Sequence, residues 1–203
     1  ERVLELTGET QVFEFHGLDG CPVPSLLRQF SAPVRVRYPW TREQLLFLMS
    51  HDPDGFNRWD AGERLAVDVI QSLVGTPKDA PVDSRLVTAY RHLVSDSSLD
   101  QALVAKMLQL PSEAYLIELA ESADAPAIHD ARERVLKHLA IALRDDLIAC
   151  YRRSVEAGAY QVTPDQIARR SLRNTALAWL LQINDEEGRE LALRQFREAD
   201  NMT

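Results

Sequence analysis

Five histidines are the first place to look for a metal ligand or a general base: His16, His51, His92, His129 and His138. None opens an H-E-x-x-H pattern, which would set two zinc ligands one helical turn apart with a glutamate base between them. His129 and Glu133 are four apart, so a helix puts both on one face. That spacing suits a weak metal site, but it equally suits the solvated ion pairs that decorate helix surfaces, and the second reading is adopted. His92 and His138 have no acidic or thiol partner at ligand spacing and are read as ordinary core or surface residues.

The stretch "HDPDGFNRWDAGE" resembles a calcium loop in part, with Asp52, Asp54 and Glu63 at positions 1, 3 and 12 of an EF-hand count. Phe56 then falls where a ligand belongs and Asn57 where the turn demands glycine, so the stretch reads as a helix entry. There is no G-x-S-x-G elbow and no glycine-rich phosphate loop, and neither cysteine sits in an activating context. Arg152-Arg153 and Arg169-Arg170-Arg173 are the basic clusters, and they lack interleaved aromatics to stack bases. No catalytic, cofactor-binding or metal-ligating residue is assigned on these grounds.

The elements that would position any such residues fall into two unlike parts. In "RVLELTGETQVFEFHGLDGCPVPSLLRQFSAPVRVRYPW", Leu4 and Leu6, Phe13 and Phe15, and Val34, Val36 and Tyr38 alternate with other residues. A period of two predicts half-buried strands, broken at Thr7–Thr10 and Gly17–Gly20 by turn residues. From Thr41 onward the apolar spacing is helical. Thr41 with Gln44 forms a capping box. The following helix carries Trp59, Leu65, Ala66, Val69, Ile70 and Leu73 on one stripe and runs to Gly75. Asp83 opens another, shorter helices follow over 99–109 and 112–122, and one long helix is predicted from near Pro126 to Cys150. Thr163-Pro164 starts the next, and Asn184 or Asp185 the last. Short connections between successive helices predict a mainly α fold, an α-helical superhelix of antiparallel helix pairs preceded by a few strands.

With a hydrophobic fraction of 45% over 203 residues, a core can form. The formal charge of −8 argues against nucleic acid or an anionic membrane as partner. No apolar run approaches the roughly 18 residues of a membrane span. Cys21 and Cys150 are read as reduced thiols, the cytoplasmic default. The chain opens inside a strand pattern with no initiator Met and ends at "ADNMT" without a breaker, so it is read as cut from a longer polypeptide.

Four stretches in register, "PVPSLLRQFSAPVRV", "LLFLMSHDPDGFNRWDAGERLA", "IARRSLRNTALAWL" and "FREADNMT", resemble the bacterial aminopeptidase N family, zinc-dependent alanyl aminopeptidases of the gluzincin class. The resemblance runs through essentially the whole chain. It implies that residues 1–38 are the last strands of a truncated β-sandwich and residues 39–203 the first part of a helical superhelix domain. Such enzymes hold zinc with the histidines of H-E-x-x-H and a further glutamate, and the substrate amine with a Gly-Ala-Met-Glu-Asn segment. This chain contains neither motif, so no site residue carries over. Zinc is expected in the parent enzyme and no cofactor in this chain, which is expected to be inactive alone. The resemblance implies a non-catalytic portion that helps enclose the active-site cavity, with the parent's other domains and its peptide substrates as partners. The alternative is a free-standing helical-solenoid interaction module.

Overall fold

The computed structural model describes residues 2–155, 158 and 160–199. Helix starts follow the local chemistry. The α1 helix (Arg42–His51) opens on a reciprocal capping box, Thr41 Oγ1 accepting from Gln44 N–H while the Gln44 side chain accepts from Thr41 N–H. Asp54 caps α2 (Gly55–Leu73), Asp83 caps α3 (Ser84–Ser95), and Asp100 caps α4 (Gln101–Met107). Ser112 caps α5 (Glu113–Leu119) and Asp124 caps α6 (Ala125–Ala142). After α7 (Arg144–Arg153), Thr163 caps α8 (Pro164–Gln182) and Asp185 caps α9 (Glu186–Glu198). Each such side chain satisfies an amide that the helix itself cannot.

Two expectations change. The single long helix predicted from Pro126 to Cys150 is two helices, because Leu143 (φ −110°, ψ 11°) interrupts it. Arg91 donates to the Ala142 carbonyl at 2.8 Å, taking one of the acceptors freed at the end of α6. Asp145 and Asp146 then occupy the first turn of α7, where negative charge is favourable. The predicted strands are not formed: among the described residues before Thr41 there is no ladder, and a three-residue 3₁₀ turn at Arg28–Phe30 is the regular element. An alternating segment becomes a strand when a neighbour pairs with its backbone. Here Val3, Leu6 and Val12 stand 86%, 70% and 80% exposed, with no sheet to cover them.

The helices stack in two rows. The α2, α6 and α8 helices contact one another in succession, as do α1, α3 and α7, and the rows meet through the pairs α1–α2, α3–α6 and α7–α8. The α4 helix wedges against α2 and α8, α5 lies on α6, and α9 on α8. The seam between rows is the core, where Leu65, Ile70, Leu86, Tyr90, Leu139, Leu147, Leu172 and Leu180 are each at most 1–2% exposed. Full burial of one such leucine contributes about 1.5–3 kcal/mol.

Arginines tie packed helices and their connectors together by donating to carbonyls at or just beyond helix ends, which lack intrahelical partners. Arg58 reaches Met49 and Ser50 O at 3.1 and 3.0 Å, and Arg132 reaches Pro111 O at 2.8 Å. Arg134 bonds Leu73 O at 3.1 Å, Pro77 O at 2.6 Å and Thr76 Oγ1 at 2.8 Å, fixing the connector after α2. Arg153 donates to Val94 O at the end of α3.

Candidate functional site

Trp59, Glu63, Val67 and Gln71 are spaced four apart on α2 and so form one stripe. They floor a groove of about 1190 Å³. The extended segment Arg35–Pro39 makes one wall, and Lys106, Pro111, Tyr115 and Leu119 from α4, α5 and their connection make the other. Its carboxylates differ in environment. Asp60 is paired with Arg64 at 2.7 Å and Asp68 with Arg42 at 2.5 Å. Glu63 has a half-buried side chain: burial pushes its carboxyl up, and the nearby Lys106 opposes that shift. Lys106 itself lies 6.0 Å from the centre of the Trp59 ring and bonds Gln109 at 3.3 Å. An aromatic floor beside a half-buried carboxylate is equipped to bind, and nothing in the groove pairs a nucleophile with a base.

A second concavity, about 1000 Å³, lies between α7, α8 and α9. Its mouth is held by an ion-pair network in which Arg144 bonds Asp185 and, at 3.2 Å, Glu187, while Arg152 reaches Glu187 at 2.5 Å. Burial raises the Asp185 carboxyl, but Arg144 and the Gly188 N–H outweigh it and the net shift is downward.

The residues singled out in the sequence are scattered. His129 pairs with Glu113 and not with Glu133: its Nδ1 lies 2.9 Å from Glu113 Oε1, tying α5 to α6, while Glu133 lies 3.5 Å from Arg132. The Glu113 contact raises the His129 pKa. Asp52 is buried and accepts from Asp54 N–H, Asp54 caps α2, and Glu63 faces the groove, so the calcium-like spacing describes a helix entry. His51 packs on Phe47, and His16, His92 and His138 are exposed. Cys150 is buried, which raises its thiol pKa, and Cys21 is exposed. Arg152 and Arg153 are taken by Glu187 and Val94 O, and Arg170 lies over the Tyr160 ring at 4.7 Å.

Among the described residues, no group of three or more His, Cys, Asp or Glu is placed to hold a metal ion. The donor set that the resemblance implies for a parent zinc enzyme, two histidines and a glutamate, is not brought together among them: His129 pairs with Glu113, and Glu133 lies beside Arg132. Among the same residues, no helix is long and apolar enough to cross a membrane. The groove had no local signature, because residues 35–39, 59–71 and 106–119 converge only on folding.

Stacked helix pairs define an α-superhelical protein, and the comparisons with known proteins agree. The chain belongs to the family described as "Domain of unknown function (DUF3458_C) ARM repeats", which matches residues 42–203. Residues 1–39 match a "Domain of unknown function (DUF3458) Ig-like fold". The particular relatives are aminopeptidases N. That of Escherichia coli is 38% identical over 206 residues, covering 99% of this chain and 23% of the relative, and that of Haemophilus influenzae is 34% identical with the same coverage. The Caulobacter vibrioides aminopeptidase N is 33% identical over 90% of this chain. Among solved structures, the crystal structure of Legionella pneumophila aminopeptidase A in complex with aspartic acid superposes with a TM-score of 0.81 at 30% identity, over 94% of this chain and 23% of that one. The chain is thus homologous to part of aminopeptidase N and spans about a quarter of the length of these relatives.

Proposed function

We propose that this chain is a non-catalytic portion of a zinc-dependent aminopeptidase that removes N-terminal residues from peptides in the cytoplasm. Its helices form part of the wall around the parent's active-site cavity and restrict entry to peptides and unfolded ends. Zinc and the catalytic residues belong to other parts of the parent polypeptide, whose catalytic and β domains are this chain's partners. The observation that carries this reading is the match to aminopeptidase N along 99% of the chain. The uncovered apolar residues of the first segment fit it, because such side chains are normally buried against neighbouring structure.

Deleting the region equivalent to residues 39–203, with the helices after it, from a whole aminopeptidase N tests the wall. Hydrolysis of a small alanyl amide reports whether the remaining catalytic part is folded. Cleavage of N-terminal residues from a folded protein, which on this reading the wall prevents in the intact enzyme, is expected to appear in the deletion variant. Unchanged discrimination between short peptides and folded proteins, with amide hydrolysis retained, overturns the reading.

A further inference from the structure

The segment Pro24–Phe30 carries three non-glycine residues in the left-handed region, Leu27 (φ 53°), Gln29 (φ 57°) and Phe30 (φ 51°). Side-chain sterics disfavour this conformation, and such runs persist where surrounding contacts over-determine them. Those contacts are present, and they come from the helical part of the chain. Asn57, buried at the start of α2, donates from Nδ2 to Ser25 Oγ at 2.8 Å and to Leu26 O at 2.9 Å. Asp54 Oδ2 accepts from Gln29 N–H at 2.9 Å while its Oδ1 caps α2. Arg28 lies 3.4 Å from the buried Asp52, and Trp40 Nε1 donates to Pro24 O at 3.0 Å. Phe30 meets Phe56 edge to face at 5.2 Å.

We infer that Pro24–Phe30 is a rigid clasp that fixes the direction in which the preceding residues leave the helical stack. The two family matches, residues 1–39 and 42–203, supply opposite halves of it. The clasp's halves are chemically matched: amide and hydroxyl groups on the strap meet the carboxylates and carboxamide of the α1–α2 corner, and the buried Asp52 charge is offset by the strap's own Arg28. A flexible linker would need neither the left-handed residues nor the side chains that hold them. The clasp sets one orientation between the parts, and its existence does not depend on the aminopeptidase reading.

Limited trypsin cleavage of the 203-residue chain tests this, because Arg28 lies in the clasp and Arg35 lies outside it on exposed, extended chain. In the wild type, cleavage after Arg28 is expected about tenfold slower than after Arg35, since proteolysis tracks local opening. Asn57→Ala is expected to raise the Arg28-to-Arg35 ratio about tenfold with the helical circular-dichroism signal retained. Gln29→Gly keeps the amide that bonds Asp54 and suits the left-handed backbone, so its melting temperature is expected to equal or exceed that of the wild type. Equal cleavage at the two sites in the wild type, or an unchanged ratio in Asn57→Ala, overturns the clasp. If Asn57→Ala loses its helical signal, Ser25→Ala is read in the same assay: a raised ratio supports the clasp and an unchanged one overturns it.

Discussion

Alanine is predicted to have opposite effects at two helical glycines, Gly62 in α2 and Gly188 in α9. At both, alanine gains helix propensity, worth about 1 kcal/mol in a helix interior. The space each new Cβ would meet decides the sign. At Gly62 its neighbours are Met49 Sδ at 3.5 Å and Met107 Cε at 3.6 Å, ordinary contacts with flexible side chains. Gly62→Ala is therefore expected to stabilise by about 0.5–1 kcal/mol. At Gly188 the Cβ would sit 2.9 Å from Leu180 Cβ, an atom fixed to the α8 backbone in a residue with no exposed surface. Relief requires α9 to shift, which strains the 2.7 Å cap from Gly188 N–H to Asp185. Overpacking of this kind costs about 1–3 kcal/mol, and the propensity gain is smaller in the first turn than mid-helix, so a net loss of about 1–2 kcal/mol is expected. Urea unfolding followed by far-ultraviolet circular dichroism reads the two as midpoint shifts of opposite sign at unchanged slope. Shifts in the same direction refute the steric argument.

Replacing Arg134 with Met removes three bonds to the connector after α2 while keeping the aliphatic stem, and a loss of about 1–3 kcal/mol is expected in the same unfolding assay. The Arg85 side chain beside Asp83 holds that carboxyl at about 2, below its ordinary 3.8. A depressed folded-state pKa gives stability that is complete above the unfolded value and lost as pH falls from 3.8 toward 2, so Arg85→Met should flatten the acid limb of the thermal stability curve over that interval. His129 is shifted in the opposite direction by Glu113, so its contribution is complete below 6.5 and is lost as pH rises through the folded value. Glu113→Gln should return the His129 titration toward 6.5 in NMR spectra, and an unchanged midpoint would refute the pairing.

Helix starts were legible in the sequence because capping is local chemistry: Thr41, Asp83, Ser112 and Thr163 each bond the amide two or three residues on, as their positions predict. The break at Leu143 was not legible, because the apolar stripe from Ile128 to Cys150 passes through it without interruption. The interruption is tertiary, since the carbonyl freed at Ala142 is taken by Arg91, 51 residues away. Alternation over residues 4–38 shows which side chains share a face and carries no information on whether a partner strand is present. The groove was equally hidden. In the sequence Glu63 stands out only as position 12 of a calcium-loop count that fails at Phe56 and Asn57. What marks it, a half-buried carboxylate beside Lys106, depends on α4 packing across α2.

Hydrolysis of a chromogenic alanyl amide by the purified 203-residue chain with added zinc, measured beside a whole aminopeptidase N, decides whether this portion is catalytic by itself. Turnover is expected from the whole enzyme and none from the chain. Zinc-dependent turnover by the chain alone would contradict that expectation and place a catalytic metal site within these residues.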